Sequence, residues 1–437
     1  MLNKLGGIAL QPDAISWLLT PRNFKAQLLE RIANARHSIT ITALYLEDDD
    51  AGREILDALL AAKANNPALD IKVLVDFHRA RRGLIGHKGD SGNYLLYRQA
   101  MSDAECPIDI LGVPVKSREV MGVLHLKGFI IDDAVIYSGA SLNNIYLQQQ
   151  DRYRFDRYHL IESPELARSM RTMVQKVLVE DEAVSSLCQN PETEILPDKL
   201  QVRSFKKRLA NARYEFPKTK TGLRVTPFVG LGGKRNQLNR AVLALVDESR
   251  ESLFICTPYF NPPLSLVRSL SRHLRAGKRI DIVVGDKTAN DFFIPPEKDF
   301  SPIGAVPYLY EQSLRKFARR QQWAIDKGLL NIHVWKHEDN SYHLKGISAD
   351  GKRHLLTGSN LNPRAWALDL ENGLLITDEE GHWAEQFASE QAFIMEHTTR
   401  LYHYSQIETI QSYPAPVKKL LSRINRIKAD ILLRRIL

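Results

Sequence analysis

Two copies of one short pattern contain the residues best suited to chemistry. The pattern is HxKxxxxD, and its residues are His125, Lys127 and Asp132 in the first copy and His343, Lys345 and Asp350 in the second. Alternate side chains of a β-strand share a face, so each copy presents one imidazole and one ammonium group together. Brought together, the four groups suit a phosphodiester. One imidazole attacks phosphorus and the other moves the protons, while the lysines neutralise phosphoryl oxygens.

The chain repeats itself around these motifs. The motif residues recur at one constant separation, and HLKGFIIDDAVIYSGASLNN matches HLKGISADGKRHLLTGSNLN. Residues 38–76 and 252–286 each read as strand, helix and strand, which predicts βαβ units in a parallel or mixed sheet. We therefore predict an α/β fold of two duplicated sandwich halves packed about a pseudo-two-fold axis, with the motifs facing each other across the interface.

The length of 437 residues suits two domains. We place the first at 1–218, including a connector at 186–218 that lacks strand periodicity, and the second at 219–437.

Composition limits the environment and the partners. A net charge of +9 favours a polyanionic partner, either nucleic acid or an anionic membrane surface. The three cysteines are far apart, which disfavours disulfides and zinc and favours a reducing cytosol. No apolar stretch approaches the length of a membrane span, and the N-terminus does not resemble a signal peptide. We predict no metal site, no cofactor, and a peripheral place on the cytoplasmic face of the inner membrane.

The paired motifs resemble the signature of the phospholipase D superfamily. The strings GVLHLKGFIIDD, YSGASLNN, GDKTANDF and LNPRAW resemble its bacterial CDP-diacylglycerol–serine O-phosphatidyltransferases. The resemblance extends from about Ser38 to the C-terminus. It implies that a phosphatidyl group passes from CDP-diacylglycerol to a histidine, releasing CMP, and then to the hydroxyl of L-serine. It also implies that His125 is the nucleophile and His343 the general acid/base.

Polar residues shortly after each motif are candidates for phosphate contacts. The superfamily often has Gly-Ser-x-Asn here, whereas this chain has GASLN at 139–143 and GSNLN at 358–362, so the register is ambiguous. We assign phosphate contacts to Ser141, Asn143, Asn360 and Asn362. The alternative is that these side chains cap turns.

Four acidic residues are predicted to support the site. Asp156 and Glu371 occupy comparable places in the two halves. The resemblance implies that each fixes the tautomer of a histidine, and we pair Asp156 with His125 and Glu371 with His343. Salt bridging at an exposed strand edge is the alternative. We interpret the motif aspartates, at strand ends, as organisers of the site rather than proton carriers.

Loops after corresponding strands, DFHRARRG and GDKTANDF, lie where α/β proteins tend to bind ligands. Arg79, Lys287 and Asn290 are therefore candidates for contacts with the CDP moiety, with surface charge as the alternative.

The C-terminal segment 415–437 reads as a basic amphipathic helix. Its apolar residues at helical spacing are Val417, Leu420, Leu421, Ile424, Ile427 and Ile431, and its basic residues are Lys418, Lys419, Arg423, Arg426, Lys428, Arg434 and Arg435. We predict that it attaches the protein to anionic membranes. Packing of the apolar face onto the body or onto a second subunit is the alternative.

Two other functions fit part of the evidence. A different activity within the superfamily, a cardiolipin-type synthase or a nuclease, keeps the motifs and changes the substrate. An inactive scaffold that binds polyanions keeps the charge alone. The complete His/Lys/Asp sets in both halves argue against the scaffold, and the basic amphipathic tail argues for lipid over nucleic acid.

Overall fold

The computed structural model describes Leu2 and residues 5–82, 92–189 and 196–426. The strands within these ranges are β1 (Ile8–Ala9), β2 (Ile15–Trp17), β3 (Ser38–Thr42), β4 (Asp70–Asp76), β5 (Asp109–Val113), β6 (Leu124–His125), β7 (Gly128–Ile131), β8 (Ala134–Ser138), β9 (Arg154–Phe155), β10 (Tyr158–Glu162), β11 (Ser185–Ser186), β12 (Arg224–Leu231), β13 (Ser252–Thr257), β14 (Arg279–Gly285), β15 (Leu330–Trp335), β16 (Ser341–Tyr342), β17 (Gly346–Ala349), β18 (Arg353–Thr357), β19 (Leu370–Thr377) and β20 (Thr398–Leu401).

The α-helices are α1 (Pro21–Ala33), α2 (Asp50–Asn65), α3 (Phe77–Arg81), α4 (Tyr94–Asp103), α5 (Pro164–Val174), α6 (Lys199–Asn211), α7 (Gln237–Glu248), α8 (Leu264–Arg275), α9 (Val306–Arg320), α10 (Gln322–Asp326), α11 (Pro363–Ala367), α12 (Ala384–Met395) and α13 (Ala415–Arg426). A π-helical turn at Gln175–Val179 extends α5, and short 3-10 turns lie at Glu119–Met121, Lys287–Ala289, Pro302–Ala305 and Tyr404–Gln406.

Two mixed sheets of matching order form the body. The first runs β11-β5-β4-β3-β7-β8-β10-β2, and the second runs β20-β15-β14-β13-β17-β18-β19-β12-β1. In each, three parallel strands precede an antiparallel hairpin that follows the HxK motif. The matching order confirms the predicted pair of duplicated α/β halves. The N-terminal strand β1 lies at the edge of the second sheet, so the chain ties the two halves together.

Local sequence explains the elements that frame each motif. The central strands β3 and β13 are rich in buried β-branched and aliphatic residues, as strands covered on both faces require. Helix α2 begins where the Asp49 carboxylate accepts a hydrogen bond from the Gly52 amide, and it buries Ile55 and Leu59. The connector contains α6, which starts with a capping box of Asp198 and Gln201.

The two halves share a hydrophobic core. One cluster packs α1 and α2 against the first sheet, and another packs α7 and α8 against the second. The third lies between the sheets and combines Leu126 and Ile130 of the first half with Leu370 and Ile376 of the second. Because apolar surface from both halves is removed from water in this cluster, the interface that carries the motifs is a packed interior.

Helix α13 packs onto the body with its apolar face. Val417 and Leu421 are buried, and they join Tyr308, Leu309 and Tyr413 in one cluster that also contacts Leu420 and Ile424. The alternative, that the apolar face packs onto the body, is confirmed for these residues, because they pack against the 3-10 turn at Pro302–Ala305 and α9. The predicted membrane attachment therefore cannot rest on their insertion. Ile427, Lys428, Ile431, Arg434 and Arg435 lie outside the described residues. No helix in the described part of the chain is long and apolar enough to cross a bilayer.

Candidate active site

Each HxK strand is paired with a strand of the opposite half. Strand β6 lies parallel to β19, with His125 opposite Glu371. Strand β16 lies parallel to β9, with Tyr342 opposite Phe155, and the His343 amide donates to the Phe155 carbonyl oxygen at 2.8 Å. The two short strands therefore cross the interface in the same way, and each half completes the other half's histidine.

Glu371 holds the imidazole of His125. Both carboxylate oxygens lie 2.9 Å from His125 Nδ1, and both residues are buried. Burial, and next the charge of Lys127, hold the pKa of His125 well below its usual value, while burial raises the pKa of Glu371 against the opposing charges of Lys127 and Lys345. Because Nδ1 is engaged by the acid, the Nε2 atom of a neutral imidazole is left to act as nucleophile or base.

The Nδ1 atom of His343 has contacts with more side chains than the Nδ1 atom of His125. The Tyr146 hydroxyl lies at 2.8 Å and Asp156 Oδ2 at 3.3 Å, and Lys345 Nζ is in close contact as well. Burial, and next the charge of Lys345, lower the pKa of His343 to about 3. Burial raises the pKa of Asp156, but Lys345 and His343 outweigh it and bring the value to about 2. The imidazole is therefore neutral, and the ionised carboxylate beside it stabilises the imidazolium that forms when the ring takes a proton.

The carboxylates are therefore paired opposite to the sequence prediction. Asp156 belongs to His343 and Glu371 to His125, and the pairing of Asp156 with His125 and of Glu371 with His343 is wrong. The physical reason is the exchange of strands across the interface, which places the acid of each half beside the motif of the other. Both acids are buried at the site, so the alternative of an exposed strand-edge salt bridge is wrong as well.

The two lysines are buried within the same site. Lys127 Nζ donates to Ser141 Oγ at 3.2 Å, and Lys345 Nζ donates to Asp156 Oδ2 at 2.8 Å. A Cβ atom at Gly139 would lie 2.6 Å from Lys345 Nζ, and one at Gly358 would lie 2.7 Å from Lys127 Cγ. The glycine after each motif is therefore needed because the lysine of the opposite half passes directly over it.

Asn372 fixes the backbone of the first motif. Its Oδ1 accepts from the Lys127 amide at 2.9 Å and its Nδ2 donates to the Lys127 carbonyl oxygen at 2.8 Å. Asn372 was not among the predicted site residues, although it directly follows Glu371. The pattern acid-Asn-Gly within an apolar strand was the available signal.

The motif aspartates lie at the far end of their strands. Asp132 accepts hydrogen bonds from the backbone amides of Arg36, His37 and Ser38 at 2.8 to 3.0 Å. Asp350 binds the Ser249 hydroxyl and the amides of residues 250–252 at 2.8 to 3.0 Å. Five residues of strand separate Lys127 from Asp132, which is about 16 Å. The prediction that these aspartates organise the site is wrong, because they fix the turns before β3 and β13.

We expect Asp132→Ala to lower the free energy of unfolding by about 2 kcal/mol, since three amides lose a charged acceptor. The amide bonds outweigh burial and hold the pKa of Asp132 below its usual 3.8, so its stabilising effect is present above about pH 4 and is lost as the pH falls. Urea unfolding at pH 7 and pH 3 measures both effects. Activity of the folded variant should stay within about 3-fold of the parent. A far larger loss with unchanged stability would return Asp132 to the site.

The residues after each motif divide into two kinds. Asn143 Oδ1 accepts from the Tyr146 amide at 3.0 Å, and Asn362 Oδ1 accepts from the Ala365 amide at 2.9 Å at the start of α11. These two cap turns, as the alternative interpretation has it. Ser141 contacts Lys127, and Asn360 Oδ1 is buried without a hydrogen-bond partner among the described residues. Ser141 and Asn360 are thus the better placed of the four for a phosphate contact.

The residues predicted for the CDP moiety lie in two cavities. The first cavity, of about 650 Å³, is lined by Tyr45, Glu47, Arg79, Asn143 and Arg154, among others. The second, of about 310 Å³, contains Lys287 and Asn290. The side chains of Arg79 and Lys287 are ion-paired with Glu47 and Glu311, both at 2.8 Å. The structure therefore does not bring the three residues together, although both cavities lie at the carboxyl ends of parallel strands as expected.

Four side chains near His343 were missed by the sequence analysis: Tyr146, Arg154, Tyr259 and Asp291. The rings of Tyr146 and Tyr259 lie 5.6 and 5.8 Å from that of His343. Arg154 pairs with Asp291 at 2.9 Å. Asp291 belongs to the GDKTANDF string, from which only Lys287 and Asn290 were predicted to contact a ligand. Across the described ranges, no three His, Cys, Asp or Glu side chains are grouped so that they could hold a metal ion.

Comparison with known proteins first defines the class. The family described as "Cardiolipin synthase, PLD-like domain" matches residues 28–178 and 242–391, one match in each half. The fold and the paired site are thus those of a protein with two phospholipase D-like domains.

The relatives define the family within that class. The chain is 46% identical, over its full length and 97% of the relative, to the CDP-diacylglycerol–serine O-phosphatidyltransferase of Escherichia coli. It is 45% identical, with the same coverage, to the enzyme of that name from Haemophilus influenzae. The crystal structure of phosphatidylserine synthase from H. influenzae Rd KW20 matches with a TM-score of 0.96 and 44% identity, over 100% of this chain and 98% of that one. The chain belongs to the bacterial CDP-diacylglycerol–serine O-phosphatidyltransferase family, which confirms the predicted resemblance and enzyme class.

Proposed function

We propose that this protein transfers the phosphatidyl group of CDP-diacylglycerol to L-serine through a phosphatidyl-histidine, releasing CMP at a membrane surface. The observation that carries the proposal is the crossed pair of His–carboxylate contacts, which places two imidazoles and two lysines in one buried site. The names of the relatives supply the donor and the acceptor.

In the first step, Nε2 of His125 attacks the phosphorus attached to diacylglycerol. The P–N bond forms while the P–O bond to CMP breaks, and CMP leaves as a phosphate monoester. Glu371 favours this step because it fixes Nδ1, and burial keeps the imidazole neutral and therefore nucleophilic. Lys127 and Lys345 stabilise the negative charge on the phosphoryl oxygens.

In the second step, the hydroxyl oxygen of L-serine attacks the same phosphorus and the P–N bond breaks. The hydroxyl proton passes to Nε2 of His343, whose ring burial keeps neutral, so that this nitrogen carries a lone pair. Asp156 and Tyr146 lie at the opposite nitrogen, so they orient the ring and stabilise the cation that forms. The Nδ1 contacts of the two histidines differ, and the family resemblance supports His125 as the nucleophile and His343 as the base.

Incubation with CDP-diacylglycerol tests the proposal. We expect CMP release with L-serine, and exchange of labelled CMP into CDP-diacylglycerol without it, because the covalent intermediate forms before the acceptor binds. Glycerol 3-phosphate serves as the competing acceptor. Faster transfer to glycerol 3-phosphate than to L-serine would support the synthase alternative. Absence of both release and exchange would contradict the proposal.

The membrane part of the proposal rests on exposed residues. The donor is a lipid and the acceptor is dissolved in water, so the site must open at an interface. Helix α13 exposes Lys419, Arg423 and Arg426 while its apolar side packs inward. The turn directly before β6 exposes Val120 by 57% and Met121 by 48%. We propose that the basic side chains attract the cytoplasmic membrane surface and that Val120 and Met121 enter it beside His125.

We expect reversal of the three charges, by Lys419→Glu, Arg423→Glu and Arg426→Glu, to weaken binding to anionic vesicles strongly. Each basic residue near such a surface contributes about 1 kcal/mol. Vesicle flotation at low and high salt is the measurement, and high salt should weaken the parent as well. Charge reversal is preferable to deletion of α13, because deletion would expose the apolar cluster around Tyr308.

The matched control reverses three exposed charges elsewhere, at Arg268, Arg275 and Lys327. It should float like the parent. Equal flotation of both triple variants would rule out α13 as the attachment surface. Val120→Ser with Met121→Ser should remove the binding that persists in high salt.

A further inference from the structure

A partly buried ion pair lies beside His343 and has no part in the phosphate chemistry. Arg154 of the first half and Asp291 of the second are 2.9 Å apart, and the Tyr259 hydroxyl donates to Asp291 at 2.9 Å. Their side chains are 13% and 15% exposed, so a ligand can reach them. Burial raises the pKa of Asp291, but Arg154 and His343 outweigh it and lower it, and the carboxylate stays ionised at neutral pH.

Two tyrosines link this pair to His343. The guanidinium of Arg154 lies 4.6 Å from the ring centre of Tyr146, whose hydroxyl contacts His343 Nδ1 at 2.8 Å. The ring of Tyr259, which binds Asp291, meets the His343 ring at 5.8 Å. A positive and a negative group are thus held together beside the base that takes the acceptor's proton.

The pseudo-two-fold symmetry is broken at this place. The residue before Phe155 is Arg154, and the residue before the matching Leu370 is Asp369. Asp369 is bonded to the Val123 amide at 3.0 Å and to Arg364 at 3.2 Å. Arg154 instead lines the first cavity, which is open to solvent. The half that handles the acceptor therefore differs from the half that handles the donor.

We infer that Arg154 and Asp291 bind the α-carboxylate and the α-ammonium group of L-serine. Both groups sit on the carbon next to the hydroxymethyl group, so whatever holds them must lie beside the base that deprotonates the hydroxyl. A guanidinium fork matches a carboxylate, and an ionised carboxylate matches an ammonium group. The pair holds the zwitterion with its hydroxyl toward His343 and selects it over acceptors that lack either charge. This inference rests on the proposed function.

The experiment compares Arg154→Gln and Asp291→Asn with three acceptors. These are L-serine, ethanolamine, which lacks the carboxylate, and 3-hydroxypropionate, which lacks the ammonium group, each assayed as substrate or as competitive inhibitor. We expect both variants to raise the KM for L-serine at least about 10-fold, as loss of a charged contact does. Arg154→Gln should leave the constant for ethanolamine nearly unchanged, and Asp291→Asn should leave that for 3-hydroxypropionate nearly unchanged.

Exchange of labelled CMP without serine distinguishes a failure of the proposed covalent mechanism from a failure of the proposed serine site. If the parent lacks exchange, the proposed covalent mechanism fails. If exchange persists and neither variant changes the KM for L-serine, the assignment of the serine site is overturned. Arg353→Gln, which removes a remote ion pair with Glu379, is the control and should match the parent.

If either variant fails to fold, Arg154→Lys and Tyr259→Phe are measured in their place. Each keeps the charges and should still raise the KM for L-serine, and an unchanged KM in both would overturn the assignment.

Discussion

Replacing either histidine by alanine is expected to lower the rate of phosphatidylserine formation by at least about 10³, because nucleophile and base act as a unit. The two variants should nevertheless stop at different points. His125→Ala has no nucleophile, so it should form no covalent adduct and should not exchange CMP. His343→Ala keeps the nucleophile and its Glu371 contact, and it loses the base that removes the serine proton.

The difference follows from the chemistry of the leaving group, CMP, and of the entering group, the serine hydroxyl. CMP leaves as a phosphate monoester whose second pKa is about 6, so its departure needs little protonation. An aliphatic hydroxyl is a very weak acid and needs a base to attack. We therefore expect His343→Ala to accumulate phosphatidyl-His125, which acid-free quenching and peptide mass analysis can map. An adduct on His343 in the parent, or any adduct in His125→Ala, would reverse the assignment.

Replacing either lysine by methionine is expected to lower the rate by about 10² to 10³, the usual effect of removing one donor to a developing negative charge. We also expect the protonation of Lys127 to make kcat/KM depend on pH. Burial, and next the charge of Lys345, lower the pKa of Lys127 to about 7, against the opposing charges of Glu371 and Asp156. The protonated amine is the useful form, so kcat/KM for CDP-diacylglycerol should fall as the pH rises through about 7.

The bound diphosphate favours the ammonium form, so kcat should fall only at higher pH than kcat/KM. Lys127→Arg stays charged, and its kcat/KM should be lower but should not fall between pH 7 and pH 9. Measurement of both parameters from pH 6 to pH 9 checks this. A kcat/KM that rises over this range in the parent would contradict the role of Lys127. We also expect a chelator to leave the rate unchanged, since the lysines provide the charge that a divalent ion would otherwise supply.

The serine and asparagine residues after the motifs show how much of the site could be predicted from the sequence. The repeat identified both HxK pairs, both supporting acids and the segments that line the cavities. It also selected Ser141 and Asn360 together with Asn143 and Asn362, because Ser and Asn suit a phosphate and a turn equally well. The hydrogen bonds to the Tyr146 and Ala365 amides separate the two kinds, and such bonds depend on the loop path rather than on residue type.

The motif aspartates were misplaced for a related reason. Asp132 and Asp350 stand at a fixed spacing from their lysines, and spacing along the chain suggested a shared site. A strand is extended, however, so five residues carry the carboxylate far from the ammonium group. The aspartates recur because both halves use the same turn before their central strand, and both adopt positive φ there, at 48° and 56°.

The sequence by itself determined the chemistry: two histidines, two lysines and two acids in a duplicated α/β chain, because residue types and periodicity are local properties. The tertiary structure decided which acid serves which histidine. Strands β6 and β9 have two residues each, and their partners β19 and β16 lie far away along the chain. With two near-equivalent halves, each acid could lie beside the histidine of its own half or, in a crossed pairing, beside the histidine of the other half. Packing of the shared core, which no local pattern encodes, fixes the crossed one.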